Sequence, residues 1–210
     1  MTRILVADDH AMVRRGLKET LEEELGHVTF GEAQDSQQVL ERLMQSNWDL
    51  LILDINMKGR SGLDLLGEVR QAWPQLPVLV LSMYPVAEFG VRAVRLGAAG
   101  YLNKQSAPEE LTAAVRRVLS GGRFISADLG EHLAGALQGP EDQPLHTALS
   151  NREFQVLQLL AAGKNQREIA DELCINAKTV GTYHTRLLDK MRMKTDAELI
   201  RYAIQHQLVE

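Results

Sequence analysis

Five short apolar runs punctuate the first half of the chain, within Arg3–Ala7, Val28–Ala33, Leu50–Leu53, Val78–Leu81 and Gly100–Leu102. Between them apolar residues recur at helical spacing. His10–Glu24 carries Met12, Val13, Leu17 and Leu21; Ser36–Gln45 carries Val39, Leu40 and Leu43; Gly62–Trp73 carries Leu63, Leu65, Leu66 and Val69 and stops before Pro74. Ala87–Arg95 and Pro108–Leu119 complete the series. Continuous apolar runs alternating with amphipathic helices predict strands buried on both faces, so the first half is an α/β unit with a doubly wound, five-stranded parallel sheet.

The pattern changes after Gly121-Gly122. Ala127–Leu137 is a candidate connecting helix, and Gln138-Gly139-Pro140-Glu141-Asp142-Gln143-Pro144 has linker composition. Beyond it lie three side chains suited to a helix N-cap, each with a Glu three residues on: Ser150 with Glu153, Asn165 with Glu168, and Thr195 with Glu198. Asn176 is a fourth cap candidate, without the Glu. A cap oxygen accepts from an otherwise unpaired N–H at the helix start, and the Glu reaches back to the cap residue. Four short helices follow, at 151–162, 166–173, 177–191 and 196–206. The predicted organisation is a first domain over 1–122, a linker with its helix over 123–147, and a smaller all-α domain over 148–210.

Composition adds the compartment and the partners. No stretch approaches the ~20 apolar residues needed to span a bilayer. The strand-like start has no secretory layout, so no membrane partner is expected. The single cysteine, Cys174, cannot form an internal disulfide. These features together predict a cytoplasmic protein. Cys174 itself is expected to be a small buried side chain near a helix end. Charge is divided unevenly: residues 1–144 hold 14 basic against 20 acidic residues, residues 145–210 nine against eight. Within the second part Lys178, Arg186, Lys190, Arg192 and Lys194 are bunched with only Asp189 among them, a local footprint for a polyanion.

Candidate chemistry sits where the apolar runs end. Asp8 and Asp9 close the first, Asp54 the third and Ser82 the fourth; Lys104 follows the fifth. In open α/β sheets the carboxyl ends of the strands form the ligand crevice, so these residues should converge. Three carboxylates crowded there need a cation or a proton. An all-oxygen donor set with open positions favours Mg2+, which keeps waters and takes phosphate oxygens as further ligands. An ammonium and a hydroxyl alongside suit a phosphoryl group.

Through Ala7-Asp8-Asp9-His10, Leu53-Asp54-Ile55-Asn56-Met57, Leu81-Ser82 and Tyr101-Leu102-Asn103-Lys104, the first 122 residues resemble the receiver domain of two-component response regulators, whose fold is flavodoxin-like. The resemblance implies that Asp54 accepts a phosphoryl group from a sensor histidine kinase. It implies that Asp8, Asp9, Asp54 and the backbone carbonyl of Asn56 hold Mg2+, that Ser82 bonds a phosphoryl oxygen, and that Lys104 pairs with the phosphate. Tyr101 would report the change by turning inward, a role resting on the resemblance alone, since a lone tyrosine at a strand is ordinarily core. The kinase would dock on the first helix near Met12, Val13 and Gly16. Lys58 stands where this family commonly has Pro; it either points into water or alters the lifetime of the acyl phosphate.

Helix 177–191 has an apolar face of Val180, Leu187, Leu188 and Met191, with Tyr183 at its margin and Gly181, Thr182, Thr185 and Asp189 opposite. In helix-turn-helix readers the second helix enters the major groove, and small exposed residues permit close approach to bases. Leu149-Ser150-Asn151-Arg152-Glu153, Gly163-Lys164-Asn165-Gln166-Arg167-Glu168-Ile169-Ala170 and Lys178-Thr179-Val180 resemble the LuxR-type four-helix DNA-binding domain. Joined to a receiver, the chain resembles a NarL/FixJ-type response regulator. The resemblance implies base contact from Gly181, Thr182 and Thr185, and phosphate contact from Lys178, Thr179 and Lys190 on double-stranded promoter DNA. Tyr183 stands where the family usually has His, which leaves that contact open; Gly181 and Thr182 offer little hydrogen-bonding reach, so specificity is expected to lean on Thr185, His184 and DNA shape. Leu199, Ile200 and Ile204 on the last helix form the expected dimer face.

The expectation is a phosphorylation-controlled transcription regulator, a homodimer when phosphorylated. It would not be an enzyme beyond its own phosphoryl acceptance and loss, and would have no small-molecule substrate beyond a phosphodonor. Until then the receiver would mask helix 177–191 or its dimer face across the 138–144 linker. Two alternatives remain: a constitutive DNA-binding protein indifferent to Asp54, and an Asp-nucleophile phosphatase. Such hydrolases carry a second Asp two residues after the nucleophile, where this chain has Asn56.

Overall fold

The computed structural model describes residues 1–57, 61–83, 86–135, 144–206 and 208–209, the side chains of residues 87 and 88 excepted. Lys58, the end of the connecting helix and most of the 138–144 linker lie outside these residues. The chain divides into two compact units, Met1–Leu137 and Gln138–Glu210.

In the first unit, β1 (Thr2–Ala7), β2 (Val28–Ala33), β3 (Leu50–Asp54), β4 (Val78–Ser82) and β5 (Gly100–Asn103) form one parallel sheet in the order β2-β1-β3-β4-β5. The helices between them are α1 (Ala11–Leu25), α2 (Ser36–Gln45), α3 (Gly62–Ala72), the short α4 (Val91–Arg95) and α5 (Pro108–Leu119). This is the predicted doubly wound topology. Strands β3 and β4 are buried along their whole length, whereas the edge strand β2 is mostly half-buried. Successive side chains alternate between faces. Ile4, Val6, Ile52, Leu79, Leu81 and Leu102 pack with Leu21 of α1 and with Leu111, Ala114, Val115 and Val118 of α5. Leu5, Leu51, Leu53 and Val80, which alternate with them, are just as buried. Apart from the edge strand β2, the strand interiors therefore meet protein on both sides, and this is why their runs are continuous and not alternating.

Register places the chemistry. Ala7 pairs with Leu53, Asp54 with Leu81, and Ser82 with Asn103, so β3, β4 and β5 run one residue further than their apolar runs and finish on polar residues at one edge of the sheet.

One element differs from the expectation. The helix expected over Ala87–Arg95 opens as a π-helical turn over Val86–Gly90 before α4 takes over. Widened turns of this kind accommodate a local packing demand. Here the demand falls at Gly90, where an added Cβ would lie 2.8 Å from Leu129 and 3.6 Å from the Tyr101 ring. Leu129 belongs to α6 (Ala127–Gly135), the expected connecting helix, which packs on the first unit through this one fully buried side chain.

The second unit holds α7 (Asn151–Ala161), α8 (Gln166–Glu172), α9 (Ala177–Met191) and α10 (Asp196–Gln205), preceded by a 3-10 turn over Leu145–Ala148. All three capping boxes are formed, and Asn176 caps α9 through Lys178 N–H. Phe154, Leu157, Ile169, Val180, Leu187, Met191, Leu199 and Ala203 make the core. Leu199, expected on a dimer face, is thus an interior residue, while Ile204 is 60% exposed. Cys174 corrects another expectation. It is exposed, with φ +50°, because the tight turn between α8 and α9 needs a left-handed residue there.

Candidate functional site

The carboxyl edge of the sheet brings Asp8, Asp9, Asp54, Ser82 and Lys104 together. Asp8 and Asp54 are each 1% exposed and Ser82 is fully buried. Lys104 Nζ stands between the two buried acids, 2.7 Å from Asp8 Oδ2 and 2.6 Å from Asp54 Oδ2. The other oxygen of Asp54 accepts from Asn56 N–H at 2.8 Å, and Ser82 Oγ donates to the Asn56 amide oxygen at 3.2 Å. Asn56 is therefore fixed from both sides, and its peptide runs past the acid cluster. Asp8 is oriented by His10 N–H at 2.8 Å, and its backbone carbonyl accepts from Arg14 of α1 at 2.7 Å.

Burial pushes the Asp54 carboxyl above the ordinary value and the Asp8 charge adds to that, against the opposing pull of Lys104 and Asn56 N–H. For Lys104 burial works against the charge, but Asp54 and Asp8 outweigh it and hold the ammonium above its usual range. One ammonium among three carboxylates leaves excess negative charge at the site, where Asp8 and Asp54 are buried and Asp9 is partly exposed. Asp8, Asp9, His10 and Asp54 each offer a ligand atom, all within 4.8 Å of one another. Asp9 Oδ1 is buried with no hydrogen-bond partner. The donor set fits a divalent cation, and Asp9 Oδ1, which meets the His10 ring at 2.7 Å, is one of its oxygens.

Two contributors escaped the sequence reading. Gly62 opens α3 against the loop after Asp54: an added Cβ would lie 2.3 Å from Ile55 Cα, so any other residue would displace that loop. Its signal was only a Gly at a helix start. His10, read as the first residue of a helix, instead turns its ring to Asp8 and Asp9. Tyr101 is fully buried within β5. On α1 the expected docking residues Met12 and Gly16 are exposed, and Val13, Gly16, Leu17 and Thr20 line a groove with Met83, Ser106, Pro108 and Leu111.

In the second unit α9 presents Lys178, Thr179, Thr182, Thr185 and Arg186 to solvent. Lys178, Thr179, Thr182, Tyr183 and Arg186 line one shallow depression with Asn176. Gly181 is half-covered by Gln166, whose amide donates to Ala177 O at 2.8 Å. Two other expected contacts are engaged within the unit. Lys190 Nζ lies 2.7 Å from Glu153 Oε2, and His184 Nε2 lies 2.7 Å from Asp196 Oδ1. Burial opposes the Glu153 charge, but Lys190 and Ser150 outweigh it and hold the carboxyl below its usual range.

A five-stranded parallel sheet with an acid triad and a lysine at its carboxyl edge, followed by a helix-turn-helix unit, defines a response regulator with a DNA-binding output. Residues 4–116 match the response regulator receiver domain, and residues 147–203 the luxR family of bacterial regulatory proteins. The chain belongs to the NarL/FixJ family of response regulators. It is 31% identical to response regulator UvrY of Escherichia coli K12, across 99% of this chain and 96% of that one, and 32% identical to response regulator GacA of Pseudomonas aeruginosa, across 100% and 99%. Its fold is similar to RcsB of Salmonella enterica serovar Typhimurium, solved bound to promoter rprA with the phosphomimetic BeF3-, with a TM-score of 0.66, 27% identity and coverage of 96% and 97%. Among the described residues no helix is long and apolar enough to cross a membrane.

Proposed function

We propose that Asp54 is the phosphoacceptor of a phosphorylation-dependent, DNA-binding transcription regulator. The observation that carries this is the arrangement around its carboxylate: buried, held by Asn56 N–H on one oxygen and by Lys104 on the other, with Asp8 and Asp9 beside it. Asp8, Asp9, Asp54 and the Asn56 carbonyl would hold Mg2+, which when bound neutralises the excess carboxylate charge and takes phosphoryl oxygens as further ligands. An Asp54 oxygen attacks phosphorus, and the P–N bond of the kinase phosphohistidine breaks with its electron pair left on the imidazole. Lys104 then exchanges the Asp54 carboxylate for a phosphoryl oxygen, and Ser82, released from Asn56, donates its hydroxyl to another. The buried Tyr101 ring beside Gly90 would hold α4 in the form that follows.

A sensor histidine kinase would approach over the α1 groove that opens beside Lys104. Double-stranded DNA would meet the exposed face of α9, with Thr182 and Thr185 at base edges, Gly181 allowing close approach, and Lys178, Thr179 and Arg186 at phosphates. Lys190 stays with Glu153. Dimerisation would use the exposed apolar strip of α10 around Ile200 and Ile204. The alternative phosphatase reading has nothing further in its favour, because the second acid it needs is Asn56.

Intact mass after incubation with acetyl phosphate and Mg2+ tests the proposal. One phosphoryl group on the parent chain and none on Asp54→Asn is the expected result. An adduct that persists on Asp54→Asn would assign the acceptor elsewhere, and no adduct on either with acetyl phosphate or a phosphorylated kinase would favour constitutive DNA binding.

A further inference from the structure

The amino edge of the sheet, opposite the acid cluster, holds a cleft of about 690 Å³ whose lining includes Thr2, Asp49, Arg70, Gln75, Gly97 and Arg123. Residues just ahead of the strands build it: Thr2 opens β1, Asp49 precedes β3 and Gln75 precedes β4. Its charge is unlike that of the unit around it, where acidic residues outnumber basic ones. Arg70, in the last turn of α3, donates to Leu76 O at 2.7 Å, and its stem lies across Gly97, where an added Cβ would stand 3.1 Å from Arg70 Nε. Arg117, in the last turn of α5, lies over Gly122 in the same way, with an added Cβ 2.6 Å from its Nε. Gly122 lines the cleft as well. These glycines therefore leave room for guanidinium groups against the backbone at the rim. Arg123 is exposed and lines the cleft directly.

The arginines have no acid of their own. Arg116, next to Arg117 in α5, pairs with Glu24 at 3.3 Å, whereas Arg70, Arg117 and Arg123 form no ion pair among the described residues. Asp49, the carboxylate among the lining residues, accepts from Arg3 N–H at 2.8 Å. A cation in the last turn of a helix also offsets the helix dipole, but that demand is too small to absorb the charge present. The ends of α3 and α5 carry about half a negative charge each and Asp49 carries one, so the guanidinium groups exceed them by about one positive charge. We propose that this cleft binds a compact polyanion bearing several phosphate groups, a nucleoside triphosphate or inorganic triphosphate. Guanidinium forks match phosphate oxygens two at a time and stay charged at any working pH. The Thr2 hydroxyl and the Gln75 amide add neutral donors, and the volume lies in the range of small-molecule sites, beyond what one phosphate fills. The site is independent of the reading of Asp54, which lies at the other edge of the sheet.

The test titrates the 15N-labelled full chain with sodium tripolyphosphate in metal-free buffer, where the acid cluster at the other edge repels anions, and follows the backbone amides. The expected result is saturable movement of the Gly97, Gly121 and Gly122 amides. Arg123→Ala, at an exposed side chain, should weaken that response about tenfold, the loss of one charge-assisted group. Asp49→Asn, which keeps an oxygen for Arg3 N–H, should strengthen it. Adenosine triphosphate in a second arm separates the two sources: tighter binding than tripolyphosphate assigns a nucleotide, and equal or weaker binding assigns the triphosphate group alone. Movement confined to α9 amides such as Thr182 and Thr185, or none at the glycines up to millimolar probe, overturns the site. So does a response that Arg123→Ala leaves unchanged. Citrate moving the same glycines at the same concentrations overturns the phosphate class. The parent titration alone decides the location, even if a variant folds poorly.

Discussion

At the scale of single residues, two buried acids have been pushed in opposite directions by their surroundings, and each yields a pH signature. Asp54 sits above the ordinary aspartate value of 3.8 because it is buried beside another carboxylate. A carboxyl whose folded pKa is raised binds its proton more tightly when folded, so the stability it contributes is largest at low pH and is lost as pH rises through the raised value. Asp54→Asn never ionises. It should stabilise the metal-free first unit at neutral pH by about 1–2 kcal/mol, with the gain shrinking toward acid, as read from urea unfolding across pH; a variant no more stable than the parent at pH 7 would contradict it. Glu153 is the reverse case. Lys190 and Ser150 hold it below the ordinary glutamate value of 4.5, so its contribution is present above that value and lost as pH falls through the lowered one. Glu153→Gln keeps an acceptor for Ser150 N–H but loses the charge facing Lys190. The expected cost is about 1 kcal/mol at pH 7, converging on the parent in acid. Equal midpoints at pH 7 would show that the pair contributes nothing.

At the scale of elements, what was legible in the sequence follows from how local each cause is. Strands buried on both faces write their burial as continuous apolar runs, and a capping box is complete within four residues, so both could be read directly. The convergence of Asp8, Asp9, Asp54, Ser82 and Lys104 was legible for the same reason, since each stands one or two residues past its run and the topology does the rest. Causes that lie far along the chain left no such trace. Lys190 looks like a phosphate contact until α7 brings Glu153 to it from 37 residues away. The π-helical turn before α4 ends at Gly90, which Leu129 of α6 approaches closely, again a partner distant in the chain. Cys174 and Gly62 reflect backbone demands of a turn and a close approach, which composition records only weakly. The α6 contact makes its own prediction. Leu129 is fully buried over Gly90, so Leu129→Ala should cost the first unit about 2–5 kcal/mol. The same change opens space beside the Tyr101 ring, so Tyr101 fluorescence or its NMR line should shift with it. A loss of stability below about 1 kcal/mol would mean that α6 is not held as the structure places it.

At the scale of the molecule, electrostatics gives phosphorylation a sign that can be separated from its conformational effect. Residues 1–144 already carry 20 acidic against 14 basic residues, while the DNA-facing unit is nearly balanced. An acyl phosphate on Asp54 carries roughly 1.5–2 negative charges in place of the one charge of the ionised carboxylate, so it adds at most about one negative charge to the acidic unit. If charge alone acted, phosphorylation would push the chain away from DNA, more strongly at low salt and hardly at all where the Debye length falls to about 3 Å near 1 M salt. A paired-site assembly acts in the other direction, because a second α9 on an adjacent half-site turns two weak contacts into one linked event, and such linkage commonly multiplies affinity by about 10^2 or more. The expected outcome is therefore a promoter affinity that rises at least tenfold on treatment with acetyl phosphate, with steeper dependence on protein concentration and with the gain retained at moderate salt. Ile204→Glu, which places a charge on the exposed strip of α10, should abolish the gain while leaving single-site binding in place. A phosphorylated chain that binds more weakly, with a deficit that salt removes, would show instead that charge dominates and that the two units do not communicate through assembly.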